Sequence, residues 1–127
     1  MAIRRTTVTV TGAAGGAGTA TANTTSSVIV NGCINAVYLQ YTDSPPGATT
    51  DVTIAEAFNS PAMPILTVAN AATDGWFFPM AQAVNQANTA ISGMGAEIYV
   101  ADYVKVTIAQ ANDADGVIAT IVWDDGS

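Results

Sequence analysis

Residues 34–42 read Ile-Asn-Ala-Val-Tyr-Leu-Gln-Tyr-Thr, and this stretch decides the fold. Successive side chains of a β-strand point to opposite faces of its sheet. Val37, Leu39 and Tyr41 therefore share one face, and the residues between them share the other. β-Branched and aromatic residues are favoured on a pleated, half-buried surface. The stretch thus predicts a central strand that is buried through Val37, Leu39 and Tyr41.

The same period of two recurs along the chain, and turn residues interrupt it at roughly the 8–12-residue spacing of sandwiches and barrels. We therefore predict an all-β fold, a single-domain antiparallel β-sandwich or barrel of about seven to eight short strands, over residues 1–127. The further predicted strands are 3–11, 19–25, 51–58, 65–69, 97–111 and 117–124, with a short apolar run at 28–30.

The segments between these strands carry turn signals of several kinds. We expect a tight turn at Asn31-Gly32, a turn at Asp43–Gly47, a hairpin at Asn112–Gly116 and a frayed acidic tail at 124–127. Residues 82–95 are rich in Ala, Asn, Gln and Gly. We predict that they are mainly loop, with room for one short helix near Ala81–Asn88.

The composition narrows the classes of partner. Only 10% of the 127 residues are charged, against about 25% in a typical soluble domain. So little charge indicates a surface that neighbouring subunits cover. Ten acidic residues oppose three basic ones, for a net charge of −7. Phosphate backbones need clustered Lys and Arg, so nucleic acid is not an expected partner.

The chain also lacks the apolar segments that direct proteins to membranes. No stretch approaches the ~20 apolar residues of a membrane helix, so no membrane partner is expected. Residues 1–10 lack an apolar core of signal-peptide length. We therefore expect synthesis in the cytoplasm.

Two basic residues, Arg4 and Arg5, stand together near the start of the chain. They make residues 1–6 a candidate N-terminal arm. Two interpretations remain open at this point. The pair is either a solvated end or a short basic arm that docks on an acidic partner.

The residues that usually carry catalysis are few. Histidine is absent, which excludes a Ser-His-Asp or Cys-His site. Cys33 is the only cysteine, and we interpret it as a small buried hydrophobe at a strand start. The carboxylates lie mostly at predicted turns, and nothing in the sequence brings Glu56 and Glu97 together. We therefore predict that the chain is not an enzyme and holds no cofactor or metal.

Two loops superficially match ligand-binding motifs. The glycine-rich run Gly12–Gly18 lacks the Lys-Ser/Thr ending of a phosphate loop. Residues Asn112–Gly116 resemble the start of a calcium loop, but the glutamate that completes such a loop is missing. Both are predicted to be ordinary turns.

The densest apolar cluster is Trp76-Phe77-Phe78-Pro79-Met80. Alternation cannot bury three consecutive bulky side chains on one face, so at least one of them points away from the core. Three interpretations stay open. The segment is a plug at one end of the sandwich, an anchor in a protein interface, or a sugar-binding platform.

The order of segments resembles capsid decoration and head-associated proteins of tailed bacteriophages. An arginine often follows the aromatic-proline segment in such proteins, whereas Met80 and Ala81 stand there in this chain. The stretches that carry the resemblance are Val37–Tyr41, Pro45-Pro46 through Ile54, Ile65–Thr67, Thr73–Pro79 and Tyr103–Gln110.

This resemblance implies a virion structural protein on the capsid surface. Such a protein binds the major capsid protein and stabilises the head lattice. It also binds itself, so we expect a homo-oligomer, namely a trimer. The residues predicted for these interfaces are Arg4, Arg5, Trp76, Phe77, Phe78 and Pro79.

Two alternatives remain from other classes. A carbohydrate- or receptor-binding module of a phage fibre or spike would use Trp76, Tyr99 and Trp123 as stacking platforms. A hydrolase would need two carboxylates that converge in one pocket.

Overall fold

A computed structural model describes residues 2–42, 47–70, 73–84, 87 and 90–126 of the chain. The described residues form eleven β-strands and no helix. Their bounds are β1 Ile3–Val10, β2 Ala20–Thr25, β3 Val30–Tyr41, β4 Asp51–Glu56, β5 Pro64–Val68, β6 Gly75–Phe77, β7 Ala81–Val84, β8 Ala90–Ala96, β9 Ile98–Asp102, β10 Val104–Ala111 and β11 Val117–Asp124.

The strands build two packed antiparallel sheets. The first sheet has the order β1-β11-β3-β6, and β9 also pairs with β3, along its first half. The second sheet has the order β2-β10-β4-β5, and β7 and β8 form a separate hairpin. The predicted all-β antiparallel sandwich is confirmed. The structure has more strands than the seven to eight expected. β6 was not predicted because it is only three residues long, and β7 and β8 form in a segment that was predicted to be mainly loop.

The core lies between the inner faces of the two sheets. Alternation places Val37, Leu39 and Tyr41 of β3 inside, as predicted, and all three are buried. Burying one large aliphatic side chain stabilises the fold by about 1.5–3 kcal/mol. The other fully buried side chains of the sandwich include Val10, Val30, Ile121, Val52, Ile54, Val104, Val106 and Ile108.

The predicted tight turn at Asn31-Gly32 is wrong. Both residues lie inside β3, which starts four positions earlier than expected. Gly32 has φ +153, and a Cβ added there would lie 2.0 Å from the carbonyl oxygen of Asp124. The glycine therefore serves a close approach of two backbones within the sheet and makes no turn.

The predicted strand at 97–111 divides into β9 and β10. β9 pairs with β3 in the first sheet, whereas β10 pairs with β2 and β4 in the second. The chain therefore crosses between the sheets at Tyr103. Sequence alternation reports which side chains are buried, but it cannot distinguish one sheet from the other.

The predicted hairpin at Asn112–Gly116 is a crossing of the same kind. It joins β10 of the second sheet to β11 of the first sheet, so its two strands do not pair. Ala114 adopts a positive φ of 68, and the buried Asp115 carboxylate accepts the backbone N–H of Asn112 at 3.0 Å. A side-chain cap thus holds a turn that has no ladder beneath it.

Two further expectations concern residues 43–46 and 81–88. Ala81–Val84 forms β7, so the predicted short helix near Ala81–Asn88 is wrong over these four residues. Residues 85, 86 and 88 lie outside the described part, as do 43–46, which make up most of the predicted Asp43–Gly47 turn.

Candidate protein-interaction surface

Trp76 lies on the outer face of the first sheet. The short strand β6 pairs with β3 in the register that sets Trp76 opposite Tyr38. The two rings are 5.1 Å apart between centroids and are tilted by 57°. Such aromatic pairs contribute about 0.5–1.5 kcal/mol beyond their buried area. Trp76 nevertheless stays 47% exposed.

Arg5 reaches this pair from β1, which lies at the opposite edge of the first sheet from β6. Its guanidinium carbon lies 5.9 Å from the centroid of the Trp76 ring, within the range of a cation–π contact. To reach Trp76, the side chain has to pass the outer-face pair Val122 and Ala36, which is in register with Arg5. This path explains why Val122 and Ala36 are only 8% exposed on an outer face.

Exposure alternates along the chain after Trp76. Phe78 is 71% exposed and Met80 is 62% exposed, whereas Phe77 packs against the core and Pro79 is buried. The segment forms the edge strand β6 and its continuation. The interpretation as a plug at one end of the sandwich is therefore wrong. We call Arg5, Tyr38, Trp76, Phe78 and Met80 the Trp76 surface.

The six residues predicted for interfaces therefore divide. Arg5, Trp76 and Phe78 belong to the Trp76 surface, while Phe77 and Pro79 are turned inward. Tyr38 was missed, and Met80 was named in the apolar cluster but not among the six interface residues. A signal for Tyr38 existed, because the alternation of β3 already set it on the outer face.

Arg4 lies elsewhere, at the edge of the sandwich. Its guanidinium forms an ion pair with the Asp125 carboxylate, and the Asp125 N–H donates to the carbonyl of Ala2 at 3.0 Å. Residues 3–6 are part of β1 and pair with β11 from Asp124 to Ile121. The described start of the chain is therefore a sheet strand and not an arm. The described part of the acidic tail is bound to it and not frayed.

Tyr99 is the second exposed aromatic side chain of the first sheet. It is 63% exposed, and its hydroxyl donates to the Glu97 carboxylate at 2.8 Å. This hydrogen bond raises the pKa of Tyr99. Tyr99 borders an open depression of about 480 Å³, whose wall includes Asn31, Asn35 and Cys33.

Two sequence expectations change at this depression. Cys33 is half-buried in the first half of β3, so it is not the fully buried hydrophobe that was predicted. Burial and the nearby Glu97 carboxylate raise the pKa of its thiol. Trp123 is only 4% exposed and belongs to the core, which removes it as a stacking platform.

Two carboxylates converge where β4 ends and the chain crosses from β9 to β10. Asp102 accepts the backbone N–H groups of Phe58 and Asn59, each at 2.7 Å, on one oxygen. Its other oxygen accepts the N–H of Tyr103 at 2.6 Å. Although burial acts to raise the pKa of Asp102, these three hydrogen bonds lower it.

Glu56 is its neighbour and is held in the same way. It accepts the N–H of Met63 at 2.9 Å on one oxygen, and the N–H of Ala101 and the Asn59 amide, each at 3.1 Å, on the other. Burial and the Asp102 charge act to raise the pKa of Glu56, but the three hydrogen bonds outweigh them and lower it. Backbone donors thus occupy all four carboxylate oxygens of the pair, which fixes the loop at 57–63.

Among the described residues, the Cys, Asp and Glu side chains form no group of three or more that could hold a metal ion. No helix of the described residues is long and apolar enough to cross a membrane. No family model, curated protein or solved structure matches the chain.

Proposed function

We propose that this protein is a capsid decoration protein of a tailed bacteriophage, which binds the outer surface of the head through the Trp76 surface and stabilises its lattice. The role is structural, and the partner is the major capsid protein. The specific form of the proposal comes from the sequence resemblance, and its surface comes from the geometry.

The observation that carries the proposal is the set of exposed apolar side chains in and directly after β6. Trp76, Phe78 and Met80 project from one short edge segment that Phe77 anchors in the core. Aromatic side chains held in place beforehand supply much of the energy of protein interfaces. Arg5 and Tyr38 fix the orientation of the Trp76 ring, and the low charge of the chain suits contacts based on shape.

The opposite face of the sandwich offers the contrast. The outward residues of the second sheet include Thr53, Thr67 and Lys105, and no large apolar side chain of its central strand β10 is exposed. Two outer faces of such different chemistry support docking through the first sheet.

The experiment uses virions of a phage that encodes the chain. Mass spectrometry of purified particles is expected to find it in stoichiometric copies with the capsid protein. Particles that lack the chain are then titrated with the purified protein. Because an interface tryptophan commonly contributes about 2 kcal/mol or more, Trp76→Ala should weaken binding by roughly thirty-fold.

Thr53→Ala, on the outer face of the second sheet, is the matched control and should bind like the unmodified protein. Absence of the chain from purified particles would refute the proposal. Equal binding by the Trp76→Ala variant would reject this surface.

A specific observation also favours the second candidate, carbohydrate binding. Tyr99 is an exposed ring beside a depression whose lining includes Asn31 and Asn35. Sugars are bound by such a combination of a stacking ring and planar polar groups. A glycan array would test it: binding that Tyr99→Ala abolishes would support it, and no binding across the array would reject it.

A further inference from the structure

Two buried hydroxyl groups of the core have no hydrogen-bond partner. They are the phenolic oxygen of Tyr41 and Oγ1 of Thr50, and no other buried side-chain oxygen or nitrogen of the described residues is left in this state. Tyr41 is 5% exposed, and Thr50 is completely buried. Buried polar groups without a partner are rare in folded proteins, and a bound water molecule or ion is one cause of them.

Both hydroxyl groups lie at the same end of the sandwich. Tyr41 is the last residue of β3 and pairs with Val117, the first residue of β11. Thr50 directly precedes β4, whose first residue, Asp51, pairs with Ala109 near the end of β10. We call this the β10–β11 end, because the turn between these two strands also lies there.

The two side chains point into the space between the sheets. Tyr41 shares the inner face of its sheet with Leu39, and Thr50 shares the inner face of the other sheet with Val52. β3 and β4 are each third in the order of their sheets, and contacts of β1 with β2 and of β9 with β4 lay the sheets over each other in that order. β3 therefore faces β4. Since packed sheets lie about 10 Å apart, a tyrosine side chain extends most of the way across, towards Thr50.

The chemistry of the two groups suits a water molecule. Each hydroxyl donates one hydrogen bond and accepts others, as water does. Burial and the nearby Asp74 carboxylate raise the pKa of Tyr41 to about 12, so its hydroxyl keeps its proton at neutral pH. The same carboxylate disfavours an anion beside Tyr41, and a hard metal cation would require about six oxygen ligands.

Short side chains surround this part of the core. Ala20 of β2 pairs with Ala111 of β10, and both are completely buried. Ala13, which follows β1, is also buried, and its N–H donates to the carbonyl of Asp115 at 2.9 Å. Alanines fill less of the space beside the Tyr41 ring than larger residues would. Buried waters occur about once per 27 residues and typically make two to four hydrogen bonds.

We propose that one ordered water molecule is bound between the sheets at the β10–β11 end, where it hydrogen-bonds to the hydroxyl groups of Tyr41 and Thr50. The water bridges β3 to β4 across the core, at the end where residues 42–49 connect these two strands. The inference is independent of the proposed function, because the site is internal and the Trp76 surface lies on an outer face.

Urea denaturation of a double-mutant cycle tests the shared water. Tyr41→Phe and Thr50→Val each remove one hydroxyl with little change of shape. Either single variant leaves the water and the other hydroxyl with a partner missing, so each should lower the urea midpoint. The double variant removes both partners and permits a dry core, so its loss should be clearly smaller than the sum of the two single losses. Circular dichroism verifies that each variant is folded.

Thr53→Val, on the exposed outer face of β4, is the matched control. Its effect should simply add to that of Tyr41→Phe. Without a bound water, the two hydroxyl groups are unsatisfied, and their removal relieves a cost. The proposal is therefore overturned if Tyr41→Phe and Thr50→Val each raise the midpoint, or if their effects are additive.

A high-resolution crystal structure provides the direct observation. We expect a water oxygen within hydrogen-bond distance of both hydroxyl groups. A direct hydrogen bond between Tyr41 and Thr50, or a dry site, would overturn the proposal even if the double-mutant cycle shows coupling. None of these results bears on the binding of virions through Trp76, which is measured on particles, so the two proposals fail separately.

Discussion

At the scale of single residues, Gly32 is the position where the backbone of the first sheet tolerates least. A methyl group there would overlap the Asp124 carbonyl and would force φ +153 on a residue with a Cβ. Overpacking and backbone strain of this kind each cost about 1–3 kcal/mol. Gly32→Ala is therefore expected to lower the free energy of unfolding by roughly 2–3 kcal/mol, measured by urea denaturation.

Gly75→Ala is the control for this substitution. It lies in β6, the strand that pairs with the second half of β3, but a Cβ added there meets nothing within 4 Å. Its unfolding midpoint should stay close to that of the unmodified protein. Equal losses at both positions would show that the close approach to Asp124 is not what Gly32 serves.

Glu56 carries a second prediction at this scale. Glu56→Gln replaces an acceptor of backbone N–H groups by an amide that can accept on one atom only. Hydrogen bonds to charged groups contribute about 1.5–3 kcal/mol, so a loss of about 2 kcal/mol is expected at neutral pH. Asp113→Asn, in the exposed turn after β10, is the control and should have little effect.

The pH dependence gives the sign of the Glu56 contribution. Because the folded-state pKa of Glu56 lies below its ordinary value, its contribution is complete above that ordinary value and is lost as pH falls through the folded-state pKa. Denaturation curves at successive pH values should therefore converge for the unmodified protein and Glu56→Gln in acid. A difference that stays constant down to the lowest pH would contradict this account.

The residues differ in how far the sequence could predict them. Alternation predicts that Val37 is buried and Tyr38 exposed, because the period of a strand is local. It predicts nothing of the contact between Arg5 and Trp76 or of the Glu56–Asp102 pair, since strand pairing across the whole chain brings those partners together. The Trp76 surface was therefore found only in part.

At the scale of elements, a deletion in β1 distinguishes an N-terminal arm from a sheet strand at residues 2–6. Deleting residues 2–6 removes the four pairs from Ile3–Asp124 to Thr6–Ile121. Cross-strand pairs contribute about 0.2–1 kcal/mol each, so the deletion should cost roughly 1–4 kcal/mol. The measurement is the urea midpoint. Removal of Gly126 and Ser127, which follow β11, is the control and should change the midpoint little. An unchanged midpoint after deletion of residues 2–6 would support the predicted N-terminal arm instead of a sheet strand.

Most elements could be predicted because their burial alternates, as in β1, β4 and β11. The exceptions share a physical cause, since each depends on where the chain changes sheet. β9 and β10 form one unbroken pattern in the sequence, and only the capping of Asp102 by three backbone donors marks the crossing between sheets. The Asn112–Gly116 turn contains the residue types of a hairpin turn. Whether its two flanking strands pair with each other depends on the other strands of the two sheets, which the turn residues do not reveal.

At the scale of the whole molecule, the first and last strands, β1 and β11, lie side by side at one edge of the first sheet. β1 and β11 pair along their full length, and Asp125 donates to Ala2 at 3.0 Å. Chains with adjacent termini tolerate circular permutation when the new ends fall in exposed loops. A short Gly/Ser linker from the last residue to the first, with new ends between Gly16 and Ala17, is therefore expected to keep the fold, because both residues are exposed between β1 and β2.

The position of the new ends should decide how stable such a permutant is. A second permutant, opened between Asn59 and Ser60, cuts the loop that Glu56 and Asp102 hold through the amides on both sides of the cut. After the cut, Glu56 and Asp102 no longer hold Asn59 and Met63 as parts of one continuous loop. The second permutant should therefore unfold at a clearly lower urea concentration than the first. Circular dichroism and urea titration of both proteins would check this order. If the order were reversed, the loop at 11–19 would be the segment that holds the sandwich together, and the two buried carboxylates would not be.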